Sequence, residues 1–411
     1  MSRAAAQRSL VALVQVLSLC VWFSASAVAP ALRIQWSVGA AAAVWLTASV
    51  QLGFVVGAVT STAFNLADRI RPHLLMGSCG LAAAACTGLF AVVANNLTSG
   101  IALRFATGIF LAGVYPVGMK LMASWAEPAR RGRAFGILIG ALTLGSGLPH
   151  LISGLGALPS RSVMTTAAII GAAGAALAFA AVRPGPHLQT AAARPNPRYA
   201  LTMFTERGPL LVNLGYFGHM WELYALWTWL PSFLLAGPAA RTSHGAGSVE
   251  VLAFISIGVA GVAGCLLGGW AADRFGRPTA AVTALIISGL CCLLSPFVFT
   301  AAPAVVLVLA VIWGASVIAD SGVFSTALSE VADRRYVGTA LTAQTAIGFT
   351  LTVVTIQLVP LLAEAVGWRW AFLLLVPGPV VGAAAMRRFG HTRPLLKTRT
   401  ARLTTPLEVS P

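Results

Sequence analysis

The sequence has few charged residues. Only 9% of its 411 residues are Asp, Glu, Lys or Arg, whereas about a quarter of an ordinary soluble domain is charged. Apolar residues make up 58% of the chain. A chain of this composition has too little polar surface for a soluble globule, so it indicates a membrane protein.

The sequence also lacks the residue patterns that are typical of nucleotide-binding, catalytic and metal sites. Lysine occurs only at Lys120 and Lys397, and neither ends a glycine-rich loop of the kind that holds nucleotide phosphates. No nucleophile–base pattern is visible, so we expect neither ATP-driven transport nor an enzyme. The cysteines all fall in apolar runs without metal-ligand spacing, and we predict no metal, no cofactor and no disulfide framework. They are Cys20, Cys79, Cys86, Cys265, Cys291 and Cys292.

Long apolar runs dominate what is present. A membrane-spanning helix needs about 20 mostly apolar residues, and twelve such runs follow one another along the chain. The separation of the ninth run from the tenth depends on Ala301, Ala302 and Pro303 alone. Strands of a transmembrane barrel are shorter and alternate in polarity, so the runs predict an all-α membrane protein with twelve transmembrane helices. They cover residues 10–32, 40–64, 73–94, 99–124, 134–157, 162–182, 209–235, 250–272, 279–300, 303–328, 339–362 and 369–387.

The net charge of +16 does not indicate nucleic-acid binding, because the basic residues are sorted by position. With the N-terminus inside, all but five of the 27 Lys and Arg residues lie in inner segments. Basic residues favour the cytoplasmic side, so we predict a protein of the cell (inner) membrane with both termini cytoplasmic. The basic segment 389–411 either adds to this orientation signal or rests on anionic lipid headgroups. The five exceptions are Arg33, Arg104, Arg161, Arg241 and Arg369.

The N-terminal segment has an alternative interpretation. Arg3, Arg8, the first apolar run and the small residues Ser24–Ala27 also resemble a cleavable signal peptide. Cleavage would leave an odd number of spans and place the basic loops outside. We therefore predict that this run is the first membrane helix.

Two charged segments recur at the same spacing. The triplet Ala-Asp-Arg at residues 67–69 returns at residues 272–274, an offset of 205 residues (272 − 67). The loop Trp125–Gly136 is echoed by Ser329–Gly338 at an offset of 204 residues (335 − 131). Both offsets are about half of the chain, which indicates two parallel repeats of six spans each. We predict a six-helix bundle at 1–182, a cytoplasmic linker at 183–208, a second, pseudo-symmetric six-helix bundle at 209–388 and a basic cytoplasmic tail at 389–411.

Run seven contains an unusual set of polar and aromatic residues. His219, Glu222 and Trp229 share one helix face. An adjoining aromatic face contains Tyr216, Met220, Tyr224 and Trp227. Glu222 lies near the middle of the run, and a carboxyl group at the membrane midplane is a candidate functional site. His219, one turn away, can share or relay its proton. The alternative is a neutral Glu222 that is hydrogen-bonded to a neighbouring helix.

Three further ionisable residues lie inside runs. Arg104 is costly in a membrane, so it either faces a cavity or extends to the nearby interface. Asp320 lies nearer the inner face and suits a structural or gating role better than substrate contact. His150 follows Pro149 in a glycine-rich run and is either a packed, hydrogen-bonded residue or a proton carrier.

Run one carries a polar stripe. Gln15 and Trp22 share a face with Ser18 and Ser26. Such a face supplies hydrogen bonds to an internal cavity, or it packs against other helices. We include Gln15 and Trp22 among the candidate substrate contacts.

The joint between runs eight and nine is the strongest local motif. Residues Gly268–Pro278 read GGWAADRFGRP. Gly269, Asp273 four residues on, and Arg274 and Arg277 around a Phe-Gly pair closely resemble a loop of the major facilitator superfamily. In that family the loop follows the second helix of each half.

The resemblance covers essentially the whole chain, with six and six spans, inside termini and a long central loop. The first copy of the turn keeps Asp68 and Arg69 but lacks the leading glycine and the aromatic–glycine pair. Arg104 with Gly108 is similar to the family's fourth-helix signature. Pro149 does not follow a glycine directly, unlike in the drug-antiporter version of helix five. The sugar-porter loop signature and the arginines of nitrate carriers are absent.

The resemblance implies alternating access to a site between two bundles, with a small-molecule substrate. The expected partners are that substrate, protons and the lipid bilayer, and we expect a monomer. The charged turns would latch the bundles on the cytoplasmic side, or they only cap helix ends. We hypothesise that Glu222 exchanges protons with help from His219.

Direction of transport and substrate charge stay open. Arg104 would suit an importer of organic anions, whereas the aromatic face would suit a proton-antiport exporter of cations, drugs or metabolites. A nutrient sensor that binds without transporting is the remaining alternative.

Overall fold

The computed structural model describes residues 3–127, 131–155, 158–188, 197–238, 246–333 and 336–404. The described residues form helices, turns and connecting segments, with no strand among them. Helical segments stand at each of the predicted apolar runs, and we number them helix one to helix twelve in chain order. Their bounds are Arg3–Leu19 with Ser24–Trp36, Trp45–Ala63, Pro72–Val93, Leu97–Leu111 with Tyr115–Ser124, Arg131–Gly154, Ser160–Ala181, Arg207–Ala236, Ala246–Phe254 with Gly261–Phe275, Arg277–Val298, Pro303–Ala319 with Ser321–Val331, Val337–Val366, and Trp368–Ala371 with Pro377–Thr404.

The predicted division between helices nine and ten is present. Helix nine ends at Val298, and helix ten begins at Pro303. Proline is well suited to the first turn of a helix, where its missing N–H removes no hydrogen bond. The short helices Leu66–Arg69 and Pro197–Thr202 lie outside the twelve apolar runs.

Eleven helical segments in the described part of the chain are long and apolar enough to cross a membrane. The chain is therefore a multi-pass membrane protein. Helix seven is 30 residues long but is not among the eleven. Its polar residues Asn213, His219 and Glu222 lower its hydropathy, and most of its side chains are buried against other helices. A helix enclosed in this way needs little apolar surface for lipid.

Several helices depart from regular α-helical geometry, and helix twelve does so at the 3-10 turn Phe372–Leu375. Helix one is interrupted at Cys20–Phe23, helix four at Ala112–Val114 and helix ten at Asp320. Helix eight forms a π-helical turn at Ile255–Ala260. Within a membrane, backbone groups freed by such breaks must be satisfied by protein or by a water-filled cavity. The breaks therefore indicate where the interior of the molecule is polar.

Glycines bring pairs of helices close together at matching places in the two predicted halves. In helix two, a side chain at Gly53 would collide with the carbonyl of Phe105 in helix four. In helix eight, a side chain at Gly264 would collide with the carbonyl of Ala315 in helix ten. The separations are 211 residues (264 − 53) and 210 residues (315 − 105), close to the offsets of the charged segments. Glycine is needed here because the two backbones are in contact.

The neighbours of each helix define the packing. Helix one lies against helices five and six, helix three against helix six, and helix seven against helices eleven and twelve. Two extensive contacts join the predicted halves, namely helix two with helix eleven and helix five with helix eight. If helices one to six correspond to helices seven to twelve, these two contacts are equivalent to each other.

Candidate functional site

A cavity of about 830 Å³ opens between helices of the first and second halves. Its walls come from helices two, four, five, seven, ten and eleven. Lys120, His187, Arg277 and Glu330 line it near the ends of helices, at the side where sequence analysis places the cytoplasm. The size is typical of a small-molecule site, which occupies about 300–1,000 Å³.

The inner part of the cavity is aromatic. Tyr216, Met220 and Tyr224 of helix seven line it, together with Tyr115 of helix four and Phe349 of helix eleven. Sequence analysis grouped the three helix-seven residues on one face, and the structure places that face on the cavity. Tyr115 and Phe349 carried no sequence motif, because their role depends on helices that meet only in the folded chain.

A cluster of aromatic rings lies beside this inner part and joins the two halves. Trp22 of helix one lies 5.1 Å from Phe54, 5.7 Å from Phe349 and 6.1 Å from Tyr224, measured between ring centroids. Phe54 and Phe349 are 4.5 Å apart. The side chains of Trp22, Phe54 and Phe349 are almost completely buried. Offset and tilted ring pairs at these distances attract one another beyond simple burial, so these contacts stabilise the packing of the two halves against each other.

His219 connects the cavity wall to a buried carboxylate. Its Nε2 lies 2.7 Å from the Ser321 hydroxyl, and Ser321 lines the cavity. Its Nδ1 lies 2.8 Å from Asp320 Oδ1, and both side chains are 1% exposed. Asp320 stands at the break in helix ten, which brings its side chain and that of Ser321 to the same histidine. The imidazole therefore bridges a hydroxyl on the cavity and an enclosed carboxylate.

Glu222 occupies a separate polar site inside the second half. Its Oε1 accepts hydrogen bonds from Trp313 Nε1 at 2.6 Å and from the Cys292 thiol at 3.2 Å. Its Oε2 accepts one from the Ser288 hydroxyl at 2.9 Å. Glu222 is 1% exposed and does not line the cavity. Three donors from helices nine and ten compensate for removing this carboxyl group from water.

Arg104 is buried at the break in helix one. Its Nη1 donates to the carbonyl of Val21 at 2.9 Å and to the Ser24 hydroxyl at 3.3 Å, and its Nη2 donates to the carbonyl of Trp22. The guanidinium thus satisfies carbonyl groups that the interrupted helix leaves without intrahelical partners. Arg104 is completely buried and is not among the residues that line the cavity.

His150 forms a contact between the two halves. Its Nδ1 in helix five lies 2.6 Å from Glu250 Oε2 in helix eight, with side chains 2% and 10% exposed. Both residues are near the ends of their helices that lie opposite the cavity mouth in the predicted topology. Sequence analysis did not select Glu250, because an acidic residue at the beginning of an apolar run is typical of a loop end.

Two other candidates from the sequence lie away from the cavity. Gln15 is buried near Gly118 of helix four, and neither of its side-chain amide atoms has a hydrogen-bond partner among the described residues. Trp229 donates from Nε1 to the carbonyl of Ile356 at 2.8 Å, which ties helix seven to helix eleven.

The charged turn between helices eight and nine meets two other loops. Arg277 forms an ion pair with Glu330 at the end of helix ten. Gly269 faces Gly132, and a side chain at Gly132 would collide with the Asp273 carboxylate. Asp273 therefore lies at the first turn of helix five, where a negative charge is favourable.

The remaining turn residues are less involved. Gly276 has φ +89°, which explains the glycine between Phe275 and Arg277 because other residues rarely adopt this conformation. Arg274 and Arg69 are exposed. Asp68 lies in the short helix Leu66–Arg69, and its side chain is outside the described residues.

The sequence profile described as Major Facilitator Superfamily matches residues 11–355 and, in a second overlapping match, 212–410. A protein named niacin transporter NiaP from Acinetobacter baylyi is 26% identical over 281 residues. This match covers 59% of the present chain and 61% of the relative's length.

Proposed function

Because the chain belongs to the Major Facilitator Superfamily, we propose that it is a secondary transporter that moves a small organic solute across the cell membrane by alternating access. The observation that carries the proposal is the cavity between the two halves, which is bounded at its inner end by rings from both. The family and the name of the relative both point to transport and not to catalysis. We propose a monomer of the inner membrane with cytoplasmic termini.

The helix contacts support two six-helix bundles, at 1–182 and 209–388, that move against each other. The equivalent pairs of helices two with eleven and five with eight form the contacts between them. The overlap of the two profile matches agrees with a duplicated chain. In such transporters the substrate site lies at the interface of the repeats, which is where the cavity lies.

Closure on the side away from the mouth supports an inward-facing state. The aromatic cluster of Trp22, Phe54, Tyr224 and Phe349 joins helices one, two, seven and eleven. His150 and Glu250 add a polar contact between helices five and eight. For the cavity to face the other compartment, both sets of contacts must separate while the mouth closes.

The buried acids of the second half support proton coupling. Ser321, His219 and Asp320 provide a chain of close polar contacts from the cavity into helix ten. Glu222 is one turn from His219 in the same helix and is enclosed by Ser288, Cys292 and Trp313. In our proposal a proton enters from the cavity through His219 and is held by the carboxyl groups, and its release to the other compartment accompanies the change of state.

The test is transport by the purified protein in liposomes. The first solute to try is niacin, a pyridine carboxylate, because the relative carries it in its name; a panel of small organic acids and amines follows. Glu222→Gln should abolish accumulation driven by a proton gradient but keep exchange of labelled for unlabelled solute. Glu364→Gln, at an exposed position in helix eleven, is the matched control and should behave as wild type.

Two outcomes would change the proposal. Gradient-driven accumulation by Glu222→Gln at the wild-type rate would remove the coupling role of Glu222. Binding of a solute without any flux would favour a sensor. The orientation of the gradient that drives accumulation distinguishes import from export.

A further inference from the structure

Buried polar groups without hydrogen-bond partners lie just beyond the inner end of the cavity. Among the described residues, neither side-chain amide atom of Gln51 has a partner, and the indole N–H groups of Trp22 and Trp227 have none either. The three side chains are at most 1% exposed. Buried polar groups are nearly always paired, so three unpaired groups in one region are unusual.

Gln51 continues the cavity face of helix two. It lies seven residues before Ala58, which lines the cavity, and residues seven apart share a helix face. Phe54, at a level between the two, belongs to the aromatic cluster. One turn before Gln51, the Thr47 hydroxyl lies 2.6 Å from the Ser26 hydroxyl of helix one. Helix two runs inward in the predicted topology, so Gln51 lies on the outer side of the aromatic cluster.

Trp227 continues the cavity face of helix seven in the same way. It follows Met220, which lines the cavity, by seven residues. Its ring lies 5.5 Å from that of Tyr224 and 5.7 Å from that of Phe23 in helix one, measured between centroids. Helix seven runs outward in the predicted topology, so Trp227 also lies on the outer side of the aromatic cluster.

Trp22 lies between these two helices. It belongs to the break in helix one, and its ring contacts Phe54 of helix two and Tyr224 of helix seven. The unpaired groups therefore come from three helices and from both halves, at the place where the halves meet on the outer side. Contacts that form in only one state of a transporter need not satisfy every polar group in that state.

We propose that Gln51, Trp22 and Trp227 line an outer section of the solute path. This section is closed in the present structure and opens to the outer compartment when the aromatic cluster separates, and water then pairs with the amide and the indole N–H groups. In the closed arrangement the same groups are desolvated and unpaired, which raises the free energy of that arrangement and so favours opening. The inference concerns the path of the proposed transporter and so rests on that function.

The first experiment measures access from outside. Gln51→Cys is made in the full-length protein, and right-side-out membrane vesicles are treated with a membrane-impermeant maleimide. Ala302→Cys, in the exposed connection between helices nine and ten, reports full access, and the wild-type protein gives the background from native cysteines. We expect Gln51→Cys to react at about 0.1–10% of the Ala302→Cys rate, because a minor state of a two-state protein is populated to about that extent.

Ser49→Cys is the matched control. Ser49 is also buried, and its hydroxyl also lacks a partner among the described residues. It shares a face with Gly53 and Gly57, however, and that face packs against helix four of the same half. This face stays closed in both states, so Ser49→Cys should not react above background. Reaction of Gln51→Cys no faster than that of Ser49→Cys would overturn the proposal.

The second experiment asks whether the Gln51 amide is unpaired in the closed arrangement. Gln51→Leu removes the polar atoms and keeps nearly the same volume, so it should raise the midpoint temperature of thermal unfolding in detergent. Gln344→Leu is the control, because Gln344 is equally buried in helix eleven but donates from Nε2 to Asn213 Oδ1 at 2.9 Å. It should lower the midpoint, because it leaves the Asn213 oxygen without that donor.

A lower midpoint for both leucine variants would also overturn the proposal, because it would show that the Gln51 amide is paired in the closed arrangement. Failure of the transport function is a separate result. It would appear as labelling of Gln51→Cys from outside, which supports the outer section, together with no flux of any solute in liposomes.

Discussion

At the scale of single residues, Arg104 shows that a buried charged side chain can stabilise the fold. The break in helix one leaves the carbonyls of Val21 and Trp22 without helical partners, and the guanidinium of Arg104 supplies donors to both. Only a planar, multiply donating side chain fits several acceptors at once. The sequence could identify an arginine in a membrane run, but the break that it serves lies about eighty residues earlier in the chain.

This role predicts the consequence of Arg104→Lys. Lysine has one donor centre and cannot reach the same acceptors, so at least one buried carbonyl loses its partner. The expected loss is about 1–3 kcal/mol of stability, measured by thermal unfolding in detergent against Arg161→Lys, an exposed control position. The folded fraction should keep the wild-type rate of solute flux in liposomes. Unchanged stability together with lost flux would instead make Arg104 a substrate contact.

The helix-seven residues show what sequence reasoning can and cannot reach. Helical periodicity correctly separated the face of Tyr216 and Tyr224 from that of His219, Glu222 and Trp229. It also predicts that His219 and Glu222 exchange a proton, which stays a prediction. The structure adds that His219 contacts Asp320 and Ser321 and that Glu222 has its own donors. The partners come from helices nine and ten, and spacing within one helix carries no information about them.

At the scale of elements, glycine contacts set the distance between helices eight and ten. A methyl group on Gly264 would meet the carbonyl of Ala315, so the helices could accept it only by moving apart. We expect Gly264→Ala to cost about 1–3 kcal/mol, as overpacking usually does. The measurement is thermal unfolding in detergent.

The matched control is Gly338→Ala, also a helical glycine but with nothing within 4 Å of an added methyl group. It should be neutral or more stable by up to about 1 kcal/mol, because alanine is the better helix former. Equal effects at the two positions would show that helix propensity, and not backbone contact, explains the glycines. Gly53 and Gly57 of helix two face the backbone of helix four in the same way, and the sequence alone does not say which helix is the neighbour.

At the scale of the whole molecule, the sequence predicts a repeat because two charged segments return at nearly equal offsets. These segments lie in turns, where few residue types satisfy the local geometry, and Gly276 at φ +89° is an example. The cavity and the aromatic cluster were not visible in the same way. Trp22, Phe54 and Phe349 come from three helices far apart in the chain, and each alone is an ordinary apolar side chain.

The sequence alone also does not show which arrangement of its helices the molecule adopts. Alternating access requires at least two arrangements of the same helices, and the same residues must serve both. The structure describes the arrangement in which His150 contacts Glu250 and the rings of the two halves meet. Our account holds that this contact breaks and reforms once in each transport cycle.

Cross-linking helices five and eight tests that claim most directly. His150→Cys with Glu250→Cys, joined by a short reducible bifunctional thiol reagent, fixes the two helices at their present separation. The single-cysteine variants, treated in the same way, control for reaction at the native cysteines. The account predicts that cross-linking stops solute flux in liposomes and that reduction restores it. Undiminished flux with the cross-link intact would contradict it.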